Sequence, residues 1–290
     1  MEIIRTDEWM KQVARQAGLE GRVSGFVPTM GALHEGHMSL VRAARAECRP
    51  VVASIFVNPA QFGPKEDLGK YPRTFEADCR KLEDAGVEYL FAPEAEEMYP
   101  PGFCTWVNVA GLSERLEGKS RPGHFRGVTT VVLKLLQIVQ PEKAYFGRKD
   151  AQQARLIRQM ARDLHLDSEI VVCPIVREAD GLALSSRNAY LQPDERRAAT
   201  VLYRALDASR TAIWHGERDA MRLAAAMREL IRREPLAELD YAEVVDAETL
   251  EPVTRLRGAC LALLAARIGA TRLIDNLLIE ERDGAFVASL

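Results

Sequence analysis

The sequence lacks the common glycine-rich signatures of nucleotide and acyl chemistry. It has no G-x-x-x-x-G-K-[ST] phosphate loop, no G-x-G-x-x-G dinucleotide turn and no G-x-S-x-G nucleophile elbow. Its five cysteines (Cys48, Cys79, Cys104, Cys173 and Cys260) are odd in number, scattered, and form no C-x-x-C pair. Neither a disulfide framework nor a zinc site is expected, and a reducing compartment fits. No apolar run approaches the length of a membrane span, about 20 residues. The first residues, Met1 to Asp7, lack the basic-then-apolar order of a signal peptide. A net charge of −3 gives no basic footprint for long nucleic acid, although local arginines leave small anions open as ligands. These absences leave the expectation of a cytoplasmic globular protein with neither a membrane nor a nucleic-acid partner.

With 290 residues, 47% of them hydrophobic and 28% charged, the chain can bury one large core or two. Apolar runs at 25–27, 51–57, 87–92, 143–146 and 169–176 read as strands, and segments 6–17, 37–47, 74–85, 127–139 and 151–164 as helices. Such alternation predicts an α/β fold of βαβ units with a parallel sheet covered on both faces. After about residue 176 the alternation stops. Helical stretches 193–214 and 219–232 precede apolar runs at 241–245, 260–267 and 271–279, which predicts a smaller α+β domain with an antiparallel sheet. The expected domains are 1–176 and 177–290. Loops after four of the strands should meet at one sheet edge, where ligands of parallel α/β proteins bind.

The first of these loops is Pro28-Thr29-Met30-Gly31-Ala32-Leu33-His34-Glu35-Gly36-His37. It stands where a strand hands over to a helix, and the first turn of a helix presents unpaired N–H groups and a positive dipole end. Residues three apart share a helix face, so His34 and His37 can face one phosphate chain. The same pair could instead cap the helix or bind a metal. A metal needs further ligands, and no close Cys or Asp supplies them, so no metal site is expected.

Other clusters carry similar double readings. Gly147-Arg148-Lys149-Asp150 places a compact cation at a strand end, while Asp150 and Gln153 have the spacing of a capping box. Leu184-Ser185-Ser186-Arg187-Asn188 can wrap a triphosphate or form an interdomain turn. Arg121, His124 and Arg126, around Pro122-Gly123, can clamp a carboxylate or cap the following helix. Gln61 is an uncharged donor and acceptor on a stiff loop.

An early H-x-G-H and a late Ser-Ser-Arg turn resemble the signatures of the HIGH-type nucleotidyltransferase superfamily. The wider wording is more specific. It includes Pro28-Thr29-Met30-Gly31, Val57-Asn58-Pro59, Gln61-Phe62-Gly63-Pro64, Glu66-Asp67 and Tyr71-Pro72-Arg73. It continues with Arg121-Pro122-Gly123-His124-Phe125, Phe146-Gly147, Lys149-Asp150, Gln152-Gln153, Arg177 and Leu184 to Asn188. In this order the motifs resemble the pantoate–β-alanine ligases over essentially the whole chain. Four positions depart from the usual wording, Ala60, Arg148, Ala151 and Leu184, while every polar site position is kept.

The resemblance implies a Rossmann-like domain, a smaller C-terminal lid and a homodimer. It implies that ATP and (R)-pantoate give pantoyl-adenylate and pyrophosphate with Mg²⁺ held mainly by ATP phosphates, and that β-alanine then gives pantothenate and AMP. Carried over by position, Met30, Gly31, Ala32, Leu33, His34, Glu35, Gly36 and His37 contact ATP, with His37 as proton donor. Gly147, Arg148, Lys149, Asp150, Val176, Leu184, Ser185, Ser186 and Arg187 complete the nucleotide site, with His34 and Lys149 joining His37 in catalysis. Gln61 and Gln153 hold pantoate, and Gln61 also borders the β-alanine site. Two rival readings are a small-molecule nucleotidyltransferase, which Gln61 and Gln153 disfavour, and a non-catalytic nucleotide- or RNA-binding relative. Retained His37 and Lys149, without a basic tail, disfavour the second.

Overall fold

Apolar residues alternate face by face along short strands, and each face collects its own core. A computed structural model describes residues 1–64 and 66–290. The first elements are β1 (Glu2–Ile4), α1 (Asp7–Leu19), β2 (Gly25–Thr29), α2 (Glu35–Glu47), β3 (Val51–Ile55), α3 (Phe75–Asp84) and β4 (Tyr89–Phe91). One-turn helices α4 (Ala95–Met98) and α5 (Glu117–Ser120) lead to α6 (His124–Val139), β5 (Lys143–Gly147), α7 (Ala151–Asp163) and β6 (Glu169–Cys173). The sheet is parallel throughout, in the order β1-β4-β3-β2-β5-β6. Phe26, Val52, Phe91, Ala144, Phe146 and Ile170 face the side covered by α1, α6 and α7. Their neighbours Val27, Val51, Ala53, Leu90 and Tyr145 face α2 and α3. Burial on both faces is what a parallel sheet requires.

Strand β1 escapes sequence reading because three residues on a sheet edge carry no period; it pairs with Tyr89–Phe91 of β4. Helix α6 starts at His124 rather than 127, after Gly123, whose φ of 83° suits a residue without Cβ. Within α6, Gly127 lies against the 3-10 turn Pro59–Gln61. A Cβ there would sit 2.2 Å from the Ala60 carbonyl oxygen and 2.7 Å from the Gln61 nitrogen. Gly127→Ala would favour the helix by about 1 kcal/mol, but overpacking a rigid backbone costs about 1–3 kcal/mol. We expect the clash to win: denaturant melts should show net destabilisation, and activity should fall as the Gln61 turn shifts. A variant as stable as wild type would contradict this.

Contacts divide the chain into two units, Met1–Arg148 with Gln153–Pro174, and Lys149–Gln152 with Ile175–Leu290. A single cut after residue 176 leaves residues 149–152 with the first unit; by contact they group with the second. The second unit holds α8 (Pro193–Ala198), α9 (Val201–Trp214), α10 (Ala220–Arg232), β7 (Ala237–Asp246), β8 (Ala259–Ile268), β9 (Thr271–Arg282) and β10 (Ala285–Ser289). Its sheet is antiparallel, ordered β10-β9-β8-β7. Leu202, Leu206, Leu223 and Met227 of α9 and α10 pack with Ala262, Leu264 and Leu277 of the sheet. The stretch 193–214 is two helices instead of one. At the break, Thr200 turns its hydroxyl onto the Arg197 carbonyl (2.8 Å) and Leu202 N–H bonds to Ala199 three residues back. Among the described residues, no helix is long and apolar enough to cross a membrane.

Candidate functional site

In the first unit, strands β2, β3 and β5 end on the same edge, and the loops that follow them carry its site residues. After β2 the chain turns sharply. Gly31 has a φ of 79° and Ala32 of 51°, both in the left-handed region. A strained alanine persists only where its surroundings over-determine it. Asp78 on α3 does this: fully buried, its carboxylate accepts from Ala32 N–H and Leu33 N–H, each at 2.8 Å, and from the Thr74 hydroxyl at 3.0 Å. Lys81, one turn further, donates to the Leu33 carbonyl.

His34 is the N-cap of α2. Its Nδ1 accepts from Gly36 N–H (3.1 Å), while its own N–H donates to Nδ1 of His37 (3.3 Å). The ring centroids lie 4.0 Å apart. The helix-capping reading of this pair is therefore correct, and it does not compete with a chemical one. With both Nδ1 atoms accepting, the neutral rings carry their protons on Nε2. The first-turn N–H groups differ from the sequence expectation: Gly36 donates to an imidazole, and His37 and Met38 to the His34 carbonyl. The positive end of the α2 dipole remains at this turn.

After β3, Asn58 is buried and organises the next loop. Its amide donates to Gln61 Oε1 (3.0 Å) and the Gly127 carbonyl (3.2 Å), and its oxygen accepts from Ala60 N–H (3.2 Å). Tyr99 also donates to that oxygen at 2.8 Å; burial pushes its phenol up to about 12, so it stays a donor. Gln61 is thereby oriented with its NH₂ donating to Met30 Sδ at 3.0 Å. The loops after β2 and β3 meet through this bond.

Beside Gln61 lie Glu66, Arg121 and His124. Glu66 accepts from Arg121 Nε (2.6 Å) and Nη2 (2.7 Å). Burial raises the Glu66 carboxyl, but the Arg121 hydrogen bonds and charge outweigh it and hold the group at about 2. Burial, with the Arg121 charge, brings His124 down from 6.5 to about 4. Between those two values the unfolded chain binds a proton that the folded chain refuses. Stability present at pH 7 therefore falls as pH drops through this window, by on the order of 3 kcal/mol. Melts at pH 7 and pH 4.5 should show this loss, and His124→Asn should reduce it. An equal loss in both proteins would contradict the assignment.

Gly147 closes β5 and pairs with Cys173 of β6. Gln153 lies half-buried in the first turns of α7. In the second unit, the Lys149 ammonium is 3.8 Å from Asp150 Oδ1. The Lys149 carbonyl accepts from Asn276 Nδ2 of β9 at 3.0 Å. Arg177 forms a two-pronged pair with Asp275 at 2.6 and 2.9 Å. Leu184 N–H bonds to the Val176 carbonyl (3.0 Å), and Ser185 Oγ accepts from Arg187 N–H (3.3 Å), so Val176 and Leu184–Arg187 form one folded loop. Sequence reading missed Asp78 and Asn276. For Asn276 a signal existed: Asp275-Asn276 puts two polar residues side by side in an apolar strand, where alternation accommodates one. For Asp78 there was none, because an aspartate early in a helix reads as a solvated dipole partner.

A parallel sheet whose carboxyl edge carries a histidine-capped helix and an oriented glutamine defines the class, an α/β enzyme. Residues 2–278 match the sequence model for pantoate-beta-alanine ligase, and the chain belongs to that family. A pantothenate synthetase of Acidobacterium capsulatum is 62% identical over 265 residues, 91% of this chain and 89% of that protein. The structure of pantothenate synthetase from Thermus thermophilus is similar with a TM-score of 0.90 at 49% identity, covering 96% of this chain and 99% of that one. A pantoate-beta-alanine ligase from Francisella tularensis, complexed with beta-gamma ATP and beta-alanine, has a TM-score of 0.77 at 36% identity, with 96% and 97% covered.

Proposed function

We propose that the protein condenses (R)-pantoate with β-alanine to (R)-pantothenate, converting ATP to AMP and pyrophosphate. A pantoate carboxylate oxygen attacks the α-phosphorus and pyrophosphate leaves. The β-alanine amine then attacks the acyl carbon of pantoyl-adenylate, loses a proton and expels AMP. The observation that carries this reading is the Gln61–Met30 bond. It joins the loop matched to ATP with the loop matched to pantoate, which in-line attack requires.

Both reacting groups in the first step are anions, so the protein's task is to neutralise and orient. In this reading Met30 to His37 embrace the ATP phosphates, with His37 donating its Nε2 proton and His34 beside it. Lys149 follows the charge that grows on the α-phosphate and pyrophosphate. Gly147 to Asp150, Val176 and Leu184 to Arg187 hold the rest of the nucleotide. Gln61 and Gln153 hold pantoate, and Gln61 also borders β-alanine. Among the described residues there is no group of three or more His, Cys, Asp or Glu able to hold a metal. We assign Mg²⁺ to phosphate oxygens and water, its usual partners, where it would supply charge neutralisation. A cytoplasmic homodimer with small-molecule substrates belongs to the same reading.

The test is incubation with ATP, Mg²⁺ and (R)-pantoate, with and without β-alanine, while pyrophosphate, AMP and pantothenate are followed. Multiple turnovers to AMP and pantothenate should require β-alanine. Absence of any pantoate-dependent pyrophosphate would refute the proposal.

A further inference from the structure

Arg121 and His124 belong, with Arg126, to the motif whose role the sequence leaves open, and their bonds point away from a direct grip on substrate. The Arg121 guanidinium has five N–H groups. Nε and Nη2 grip Glu66 at 2.6 and 2.7 Å, Nη1 approaches His124 Nε2 at 2.9 Å, and Nη2 also reaches the Gln61 carbonyl at 3.4 Å. A substrate carboxylate would have to displace a bidentate one already in place. The pairing has a further consequence. Arginine only donates, so His124 Nε2 must accept and the ring proton must sit on Nδ1. Nδ1 lies 2.8 Å from the Gln61 carbonyl oxygen, which can only accept. Each link sets the next: the Glu66 charge fixes the guanidinium, the guanidinium fixes the imidazole tautomer, and the imidazole fixes the Gln61 peptide.

We propose that Glu66, Arg121 and His124 are positioning residues that act on substrate through the backbone of Gln61. The proposal rests on Gln61 holding pantoate. The side chain of Gln61 is held by Asn58 and Met30, but those bonds set only its amide end. The peptide needs its own anchor, because rotation about the Gln61 backbone would swing the amide away from both. His124 provides that anchor from α6, a helix packed into the core of the sheet.

The test compares His124→Leu, which cuts the relay, with His124→Asn, whose amide nitrogen can occupy the Nδ1 position and still donate to Gln61. His124→Leu should raise KM for pantoate about tenfold and lower kcat by a similar factor, leaving KM for ATP within about twofold. His124→Asn should restore most of both. The methyl resonance of Met30, whose sulfur accepts from Gln61, provides a readout independent of turnover. It should move in His124→Leu and return toward the wild-type position in His124→Asn. Unchanged pantoate KM, kcat and Met30 resonance in His124→Leu would overturn the relay, as would His124→Asn failing like His124→Leu in all of them. If wild-type protein shows no pantoate-dependent turnover, the functional reading fails, while the Met30 resonances still decide whether the relay holds Gln61.

Discussion

Replacing Lys149 by alanine should slow pantoyl-adenylate formation by roughly 10²–10³-fold while weakening ATP binding by less than about tenfold. Removing one preorganised donor from a developing oxyanion commonly has an effect of this size. The asymmetry follows from where the charge is needed. Ground-state ATP has its phosphates shared among the His34–His37 helix start, the Ser185–Arg187 loop and Mg²⁺ in our reading. The extra negative charge exists only as the α-phosphorus is attacked. An interaction made mainly in the transition state lowers kcat and kcat/KM together when it is removed. The fixed backbone supports this role, since Asn276 bonds to the Lys149 carbonyl at 3.0 Å. Rapid-quench single turnovers with pantoate, alongside equilibrium ATP binding, separate the two quantities. A wild-type single-turnover rate in Lys149→Ala would remove the residue from the mechanism.

Replacing Asp78 by alanine should cost about 3–5 kcal/mol of stability and abolish most of the activity. The carboxylate is fully buried and accepts three hydrogen bonds, two of them from the backbone of the turn before His34. Hydrogen bonds to a charged group are worth about 1.5–3 kcal/mol each, and stranding buried donors adds a penalty. Loss of the anchor also releases the left-handed Ala32 from the only side chain that bonds to its N–H among the described contacts. The histidine cap that follows would then lose its fixed approach to the sheet edge. Urea denaturation and steady-state assays on Asp78→Ala and Asp78→Asn measure both effects. Asparagine keeps one accepting oxygen, so its losses should be intermediate. Wild-type stability in the alanine variant would mean that the turn is held by other contacts.

Much of the architecture was legible because burial on both faces imposes a simple pattern. The runs that predicted strands at 25–27, 51–57, 87–92, 143–146 and 169–176 all coincide with observed strands, though β3, β4 and β6 are shorter than their runs and β2 and β5 extend slightly past theirs. What the pattern could not reveal was β1 and β10, at the edges of their sheets, where few side chains need to be buried. Local chemistry was legible to a similar degree. The resemblance picked out Met30 and Gln61, yet their contact depends on Asn58 and on a glycine far along the chain, Gly127. Asp78 was hidden for the same reason. Its partners Ala32 and Leu33 lie more than 40 residues away, and only the fold reveals that an ordinary helical aspartate is a buried anchor.

In the proposed reaction an acyl-adenylate forms before the amine is used. This order is tested most directly by exchange of labelled pyrophosphate into ATP, with Mg²⁺ and no β-alanine. Exchange should appear only when (R)-pantoate is added, because pyrophosphate can then reverse pantoyl-adenylate formation. Pantothenate formation without such exchange, or exchange independent of pantoate, would contradict the two-step route.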